Sequence, residues 1–474
     1  MKKIIIILLV TFLSVSSYAK VKLPAIINNG MVLQQKAKAV LWGTAKPLTD
    51  VLINTGWDNK QYVVKSDATG NWRTKVSTPQ AGGPYKIIFN DGDGEPVTLN
   101  DILIGEVWVC SGQSNMEMPM KGFNKQPIKD AAQIIADAQN HPDIRVFRVP
   151  KIVSAVPLND CKGQWFITDS QTVKNFSAIA YQYAKFLHDK LNVPIGIVAT
   201  YWGGTAIQSW MDEETLRKVS GVIIPGRLDT ILDPEKKPEE SPCILYNSMV
   251  KPIAGYTIKG FVWYQGESNR YNPALYEKLM PVMVNEWRTL WDQGKLPFYY
   301  VQIAPFGYSG PNNYFSAFLR EVQLKELSKI PNSGMIVTID AGKQKFIHPP
   351  DKTIVSKRLA TLSLDKTYHL PGIKYELALY QSAQFKNGHA DLNFSHTAGG
   401  LILKDDSLKN FEIAGSDKVF YPANAVIINK NKVRVSADQV KQPVAVRYAF
   451  KNWVDGNLFN GNGQPVSSFR TDSW

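Results

Sequence analysis

From residue 101 onward the chain repeats one pattern: a short apolar run, a loop, then an amphipathic stretch of helical period. The apolar runs are "ILIGEVWV", "IGIVAT", "IKGFVWY", "FYYVQIA" and "MIVTID", rich in β-branched and aromatic residues. Strands of this kind offer water few polar positions, so both of their faces must be covered. The intervening stretches supply the cover. In "FSAIAYQYAKFLHDKL", Phe176, Ile179, Ala180, Tyr183, Ala184, Leu187 and Leu191 share one helical face. "IKDAAQIIADAQ", "ALYEKLMPVMVNEWRTLW", "YFSAFLREVQLKELSKI" and "TIVSKRLATLSL" read the same way. Parallel neighbours are reached only through crossovers, so strands alternating with helices build a parallel sheet. An α/β domain is expected over residues 101–372.

The flanks obey a different rhythm. Residues 20–100 carry "AVLWGTAKP", "YVVKSDATGNWRTKV" and "YKIIFNDGDGEP", β-prone runs broken by Gly, Asp and Pro. They predict an N-terminal β-sandwich-like domain, with Asp67–Gly70 as the turn of a hairpin. Residues 373–474 are β-rich again: "AVIINKNKVRV" reads as two strands around 429–431, and "VAVRYAF" as another. No internal repeat of fixed period and no low-complexity stretch occurs.

At the front, Lys2 and Lys3 precede an apolar run, and Ser17, Tyr18 and Ala19 place small residues at a cleavage site. Residues 1–19 therefore read as a secretory signal peptide, too short to span a bilayer. Cleavage after Ala19 removes two lysines and no acids, lowering the formal charge from +13 to +11. The lysines are scattered, which reads as a solvated surface and not as a nucleic-acid tract. Cys110, Cys161 and Cys243 are too few for a disulfide scaffold, and their odd number leaves at least one thiol free. The expected compartment is the periplasm. No metal-ligand cluster and no nucleotide-binding loop is present in the sequence, so neither cofactor nor metal is expected. No nucleic-acid partner and no membrane span in the mature chain are expected either.

In an open parallel sheet, ligands bind beyond the carboxyl ends of the strands. "EVWVC" is followed by Ser111, Gln113, Ser114 and Asn115, and "IGIVAT" by "YWGGTAIQSW" with Gly203 and Gly204. "GFVW" is followed by "YQGESN", which holds Gln265 and Asn269, and "MIVTID" by a loop reaching His348. Four strands thus deliver hydroxyls, a glycine pair, amides and an imidazole to one edge. Acyl transfer needs these parts: a nucleophile, a base titrating in the right range, and donors for the oxyanion. Of six histidines, only His348 follows a sheet strand by a short loop; His141, His188, His369, His389 and His396 lie on helices or in the tail. Ser111 reads as a turn residue.

"GQSNM", "WGGTAIQSW", "WYQGESN" and "IHPPDK", with "GMVLQQ", "AVLWGTA", "GNWRTKV", "AVRYAF" and "FRTD" around them, resemble the sialate O-acetylesterase family. These are carbohydrate esterases of the SGNH-hydrolase superfamily, and the likeness covers nearly the whole mature chain. It implies a flavodoxin-like catalytic domain with β-rich flanks and hydrolysis of O-acetyl esters on sialic acids. By this resemblance Ser114 is the nucleophile and His348 the base. The Ser114 backbone N–H, Gly203 or Gly204, and Gln265 (with Asn269 as its alternative) form the oxyanion hole. The pattern departs at the third triad member. Relatives carry Asp-Ile-His-Pro, whereas Phe346 stands here where they have the aspartate. Asp340 is the nearest upstream acid; a Ser-His dyad oriented by a backbone carbonyl is the other reading. The resulting expectation is a secreted serine esterase acting on acetylated glycans. An acetyl xylan or other hemicellulose deacetylase is the alternative enzyme, and a catalytically impaired carbohydrate-binding protein the alternative of another class.

Overall fold

The computed structural model describes residues 20–474 apart from Pro234 and Lys236; the leader expected over 1–19 lies outside the described residues. Seven strands build the N-terminal part: β1 Val32–Gln34, β2 Lys38–Thr44, β3 Asp50–Thr55, β4 Lys60–Lys65, β5 Asn71–Ser77, β6 Gly82–Asn90 and β7 Val97–Gly112. Six more follow: β8 Ile144–Arg148, β9 Gln164–Ile167, β10 Ile195–Tyr201, β11 Gly260–Tyr264, β12 Phe298–Val301 and β13 Ser333–Ile336. The α-helices are α1 Ser114–Glu117, α2 Ala131–Asp137, α3 Ala178–Leu191, α4 Glu213–Arg217, α5 Pro273–Trp291, α6 Phe315–Lys329 and α7 Thr353–Lys366. The architecture is mixed α/β, with a large and mostly parallel central sheet and further β-sheets around it.

The longest strand, β7, shows how residue pattern becomes layer structure. Its first residues alternate in exposure, and from Ile102 to Gly112 every residue is buried. Its first half pairs with β6 and β1, and its second half with β10 and β11 on either side. One strand therefore runs unbroken past position 100–101, where the residue rhythm changes. Side chains of β7 then alternate between two cores. Val107 and Val109 face the layer containing Leu279, Trp287 and Leu319 of α5 and α6. Trp108 and Cys110 face the layer containing Tyr183, Leu187 and Leu359 of α3 and α7. Each fully buried aliphatic side chain contributes about 1.5–3 kcal/mol, so two covered faces repay a strand with no wet side.

The central order is β13-β12-β11-β7-β10-β8-β9, parallel throughout except for β9, which runs antiparallel to β8 at the edge. Helix α3 starts cleanly because the Ser177 side chain accepts the Ala180 N–H, an N-cap.

The expected hairpin around Asp67–Gly70 is corrected. The turn exists, for Asp67 Oδ1 accepts the N–H groups of Thr69 and Asn71. The flanking strands do not pair with each other: β4 pairs with β3, and β5 pairs with β2. A turn motif reports local backbone geometry, while strand partners are chosen by which faces must be buried.

The tail forms one antiparallel sheet from Leu379–Lys386, His389–Ser395, Lys432–Ser436 and Asn424–Asn429. A second contains Phe420–Pro422, Phe411–Ala414, Ala445–Tyr448 and Phe469–Arg470. The strands expected around 429–431 do pair. The tail is tied to α6 by Arg320, whose buried guanidinium donates to Ser468 Oγ and the Ala449 carbonyl. All three cysteines are free and buried. Among the described residues no helix is long and apolar enough to cross a membrane.

Candidate active site

After β7 the chain goes to one side of it for β8 and β10, then to the other for β11, β12 and β13. The connections diverge at the carboxyl end of β7, and such a divergence leaves a crevice. Gly112 brings the backbone into it. Its φ is +140°, and a Cβ there would lie 2.1 Å from the Tyr264 carbonyl oxygen. Ser114 follows two residues later as the first residue of α1, where N–H groups have no partner within the helix.

Ser114, His348, Gly203 and Gly204 line one cleft of about 460 Å³ together with Gln113 and Glu267. Gly203 lies against the serine: a Cβ on it would sit 3.1 Å from Ser114 Cβ. Its N–H donates to Glu117 Oε2 at 2.6 Å, and Glu117 is in turn paired with Lys151. Gly204, at φ +81°, keeps an N–H with no hydrogen-bond partner among the described residues. The Ser114 hydroxyl likewise has none. A larger cavity of about 760 Å³ lies away from this edge, beside Trp42, Arg73 and Asp292. It brings together none of Ser114, His348 or the glycine pair.

Two expectations are corrected here. Gln265 and Asn269 do not reach the cleft. The Gln265 amide, fully buried, donates to the Thr205 carbonyl and to Asn269 Oδ1. Asn269 Oδ1 also accepts the Ile207 N–H, and its Nδ2 donates to Gln208 Oε1. Both amides are committed to holding the 205–208 loop. The amide in the cleft is Gln113, whose Oε1 accepts the N–H groups of Gly266 and Ser268. That anchoring leaves its Nε2 without a partner among the described residues. Gln113 stood beside Ser114 in the sequence, but nothing local distinguished its direction from that of the amides downstream.

Asp340 is not beside the imidazole. Both its oxygens take Arg358, at 2.7 Å each, in a buried bidentate pair. The atom at His348 Nδ1 is Gln126 Oε1, at 2.6 Å. Phe123 packs edge-on against the same ring, with centroids 5.1 Å apart. Phe123 and Gln126 are presented by a turn that closes on itself through their own backbone pairs, N–H to carbonyl in both directions. An Nδ1–H donated to an amide oxygen leaves the Nε2 lone pair free to take a proton.

A buried polar chain runs beneath Ser114 and His348. Lys352 Nζ donates to Asn115 Oδ1, and Asn115 Nδ2 donates to Glu267 Oε1 and the Ile347 carbonyl. Burial pushes the Lys352 ammonium down to about 7 and raises the Glu267 carboxyl. Burial, with the Lys352 charge second, lowers His348 to about 4. If His348 serves as a base it works only when deprotonated, and the acidic limb of kcat/KM is then expected near pH 4 instead of near the ordinary 6.5. Lys352→Met removes the neighbouring positive charge and should move that limb to higher pH. A limb that stays put in the variant would show that the lysine does not act on the imidazole.

Elsewhere, ring nitrogens of His141 and His188 and a carboxylate oxygen of Asp189 lie within 4.8 Å of one another. Lys185 already supplies a cation there, paired with both Asp137 and Asp189.

Residues 104–361 match the family described as carbohydrate esterase, sialic acid-specific acetylesterase. The mouse sialate O-acetylesterase is 28% identical over 512 residues, covering 95% of this chain and 93% of the relative. The human sialate O-acetylesterase is 28% identical over 466 residues, covering 90% and 87%. Among solved structures, a carbohydrate acetylesterase from Xanthomonas citri is similar at 35% identity and a TM-score of 0.86, over 96% of this chain and 100% of the other.

Proposed function

The chain belongs to the sialic acid-specific acetylesterase family of carbohydrate esterases and is a carboxylic ester hydrolase, and from that premise we propose that it removes O-acetyl groups from sialic acids through a Ser114–His348 acyl-enzyme mechanism. The observation carrying this reading is the meeting of Ser114 and His348 in one cleft, with Nδ1 of the imidazole already hydrogen-bonded. His348 Nε2 takes the Ser114 hydroxyl proton as Oγ attacks the acetyl carbonyl. Gln113 Nε2, the Gly204 N–H and the Ser114 N–H receive the oxyanion. The imidazolium returns its proton to the sugar oxygen, which leaves as the alcohol. Water, activated by the same Nε2, then releases acetate.

Arg270 supports an acidic sugar. It lines the cleft, its guanidinium rests against the rings of Tyr271 and Tyr308, and it makes no ion pair with a carboxylate among the described residues. Its Nε is buried and unpartnered. The strand order supports the SGNH-type reading: with β8 and β9 set aside, β10-β7-β11-β12-β13 follows the 2-1-3-4-5 flavodoxin pattern. The residue pattern of 1–19 supports export to the periplasm.

The test is acetate release from O-acetylated sialic acid beside acetylated xylan. Faster release from sialic acid is expected; a preference for xylan would transfer the chemistry to a neutral sugar. Gln113→Ala should lower kcat by about 10²–10³ and leave KM nearly unchanged, because the oxyanion exists only in the transition state. Weaker binding at unchanged kcat would instead make Gln113 a sugar contact.

A further inference from the structure

Three aromatic side chains at this edge of the molecule stay in water: Tyr271 is 59% exposed, Phe346 47% and Phe315 42%. Folding normally hides such rings, and exposed apolar groups gathered at a cleft mark a binding surface. These three are tied to the cleft by chain or by contact. Tyr271 follows Arg270, which lines the cleft and covers one face of the Tyr271 ring at 4.1 Å. Phe315 meets Tyr271 edge-on, 5.2 Å between centroids, at the start of α6. Phe346 precedes Ile347 and His348, both in the cleft wall. Its own loop is held by Gly307 N–H donating to the Gln344 carbonyl, so the segment carrying Tyr308 and the segment carrying Phe346 are joined.

The Tyr271 ring is also held in place. The Arg270 guanidinium sits between Tyr271 and Tyr308, at 4.1 and 4.6 Å from their centroids, and its Nη2 donates to the Tyr271 hydroxyl. Its Nη1 donates to the Glu267 carbonyl, which fixes the arginine to the catalytic edge. A rigid ring loses little entropy on binding, and its apolar face suits the C–H face of a pyranose.

We propose that Tyr271, Phe315 and Phe346 form a stacking platform for sugar rings beyond the acetylated one, so that the enzyme prefers an acetylated residue within an oligosaccharide to the free sugar. The proposal rests on the reading of the cleft as a carbohydrate esterase site. The occupant is a chain of pyranose rings, because the platform is continuous with a cleft lined by hydroxyl, amide and guanidinium groups.

The experiment separates binding from turnover. Calorimetric titration of the Ser114→Ala protein compares an O-acetylated sialyl trisaccharide with free O-acetylated sialic acid, and acetylated xylotetraose with acetylated xylose. The oligosaccharide of one pair should bind at least ten-fold more tightly than its monosaccharide. In the same background Phe315→Ala and Phe346→Ala should each remove most of that advantage and leave the monosaccharide affinity within about two-fold. In otherwise wild-type protein, the same two variants should raise KM for the oligosaccharide while p-nitrophenyl acetate turnover stays within two-fold. Equal affinity for long and short ligands in both pairs overturns the platform, as does equal loss on every substrate. Turnover of p-nitrophenyl acetate reports on the acyl-transfer groups of the cleft without any sugar, so an enzyme inactive on it sinks the catalytic reading while the titration still decides this one.

Discussion

Ser114→Ala is expected to lower turnover of p-nitrophenyl acetate by about 10⁵–10⁶-fold, the scale on which loss of an acyl-transfer nucleophile acts. The fold should be indifferent. The Ser114 hydroxyl has no hydrogen-bond partner among the described residues, so its removal leaves no buried group unpaired, and the cost should fall within about 0.5 kcal/mol. Thermal unfolding beside the activity assay therefore distinguishes lost chemistry from lost structure. A sulfonyl fluoride should label the wild-type peptide that contains Ser114. That peptide also contains Ser111, which is fully buried with its hydroxyl unpartnered, so fragmentation must assign the site. Label on Ser111, or an active alanine variant, would remove Ser114 from the mechanism.

Gln126→Leu should cost about a hundred-fold less than Ser114→Ala but still heavily, about 10³–10⁴ in kcat. In a well-studied triad, neutralising the group that holds the imidazole tautomer costs about 10⁴, and here the group in that position is an amide. Leucine keeps the size of the side chain and removes the acceptor at 2.6 Å from Nδ1. Gln126→Glu is the informative partner variant. A carboxylate at Nδ1 favours the imidazolium, so the His348 pKa should rise from about 4. The base is then neutral only above the higher value, and the acidic limb of kcat/KM should move toward neutral pH. Asp340→Asn gives the contrast. It breaks a buried bidentate pair with Arg358, so unfolding should occur several kcal/mol more easily. Turnover per folded molecule should be unchanged. If Asp340→Asn loses turnover with its fold intact while Gln126→Leu does not, the acid orients the base after all and the amide does not.

The two corrections in the cleft share a cause. Ser114, His348 and the glycine pair were legible because each follows the end of a parallel strand, and strand ends share one edge by construction. Gln265 and Asn269 also follow a strand end, so the same logic admitted them. What it could not supply was direction: Gln265 comes immediately after β11 and points inward to the Thr205 carbonyl, whereas Gln113 lies along the cleft. Gln126 had no such signal. It sits in a short turn between α1 and α2, 222 residues from the histidine it contacts.

Sequence by itself determined the central layer, because strands such as "GFVWY" with no wet face require helices on both sides, and the amphipathic stretches between them are those helices. It also determined which strand ends carry hydroxyl, glycine and imidazole. Tertiary structure alone decided partnership. It sent β4 and β5 to different neighbours across a well-formed turn, gave Asp340 to Arg358, and placed an amide side chain where an acid or a backbone carbonyl was expected. The physical reason is range. Periodicity and turn chemistry act over a few residues and are written along the chain, whereas a side chain's hydrogen-bond partner is set by packing among segments hundreds of residues apart.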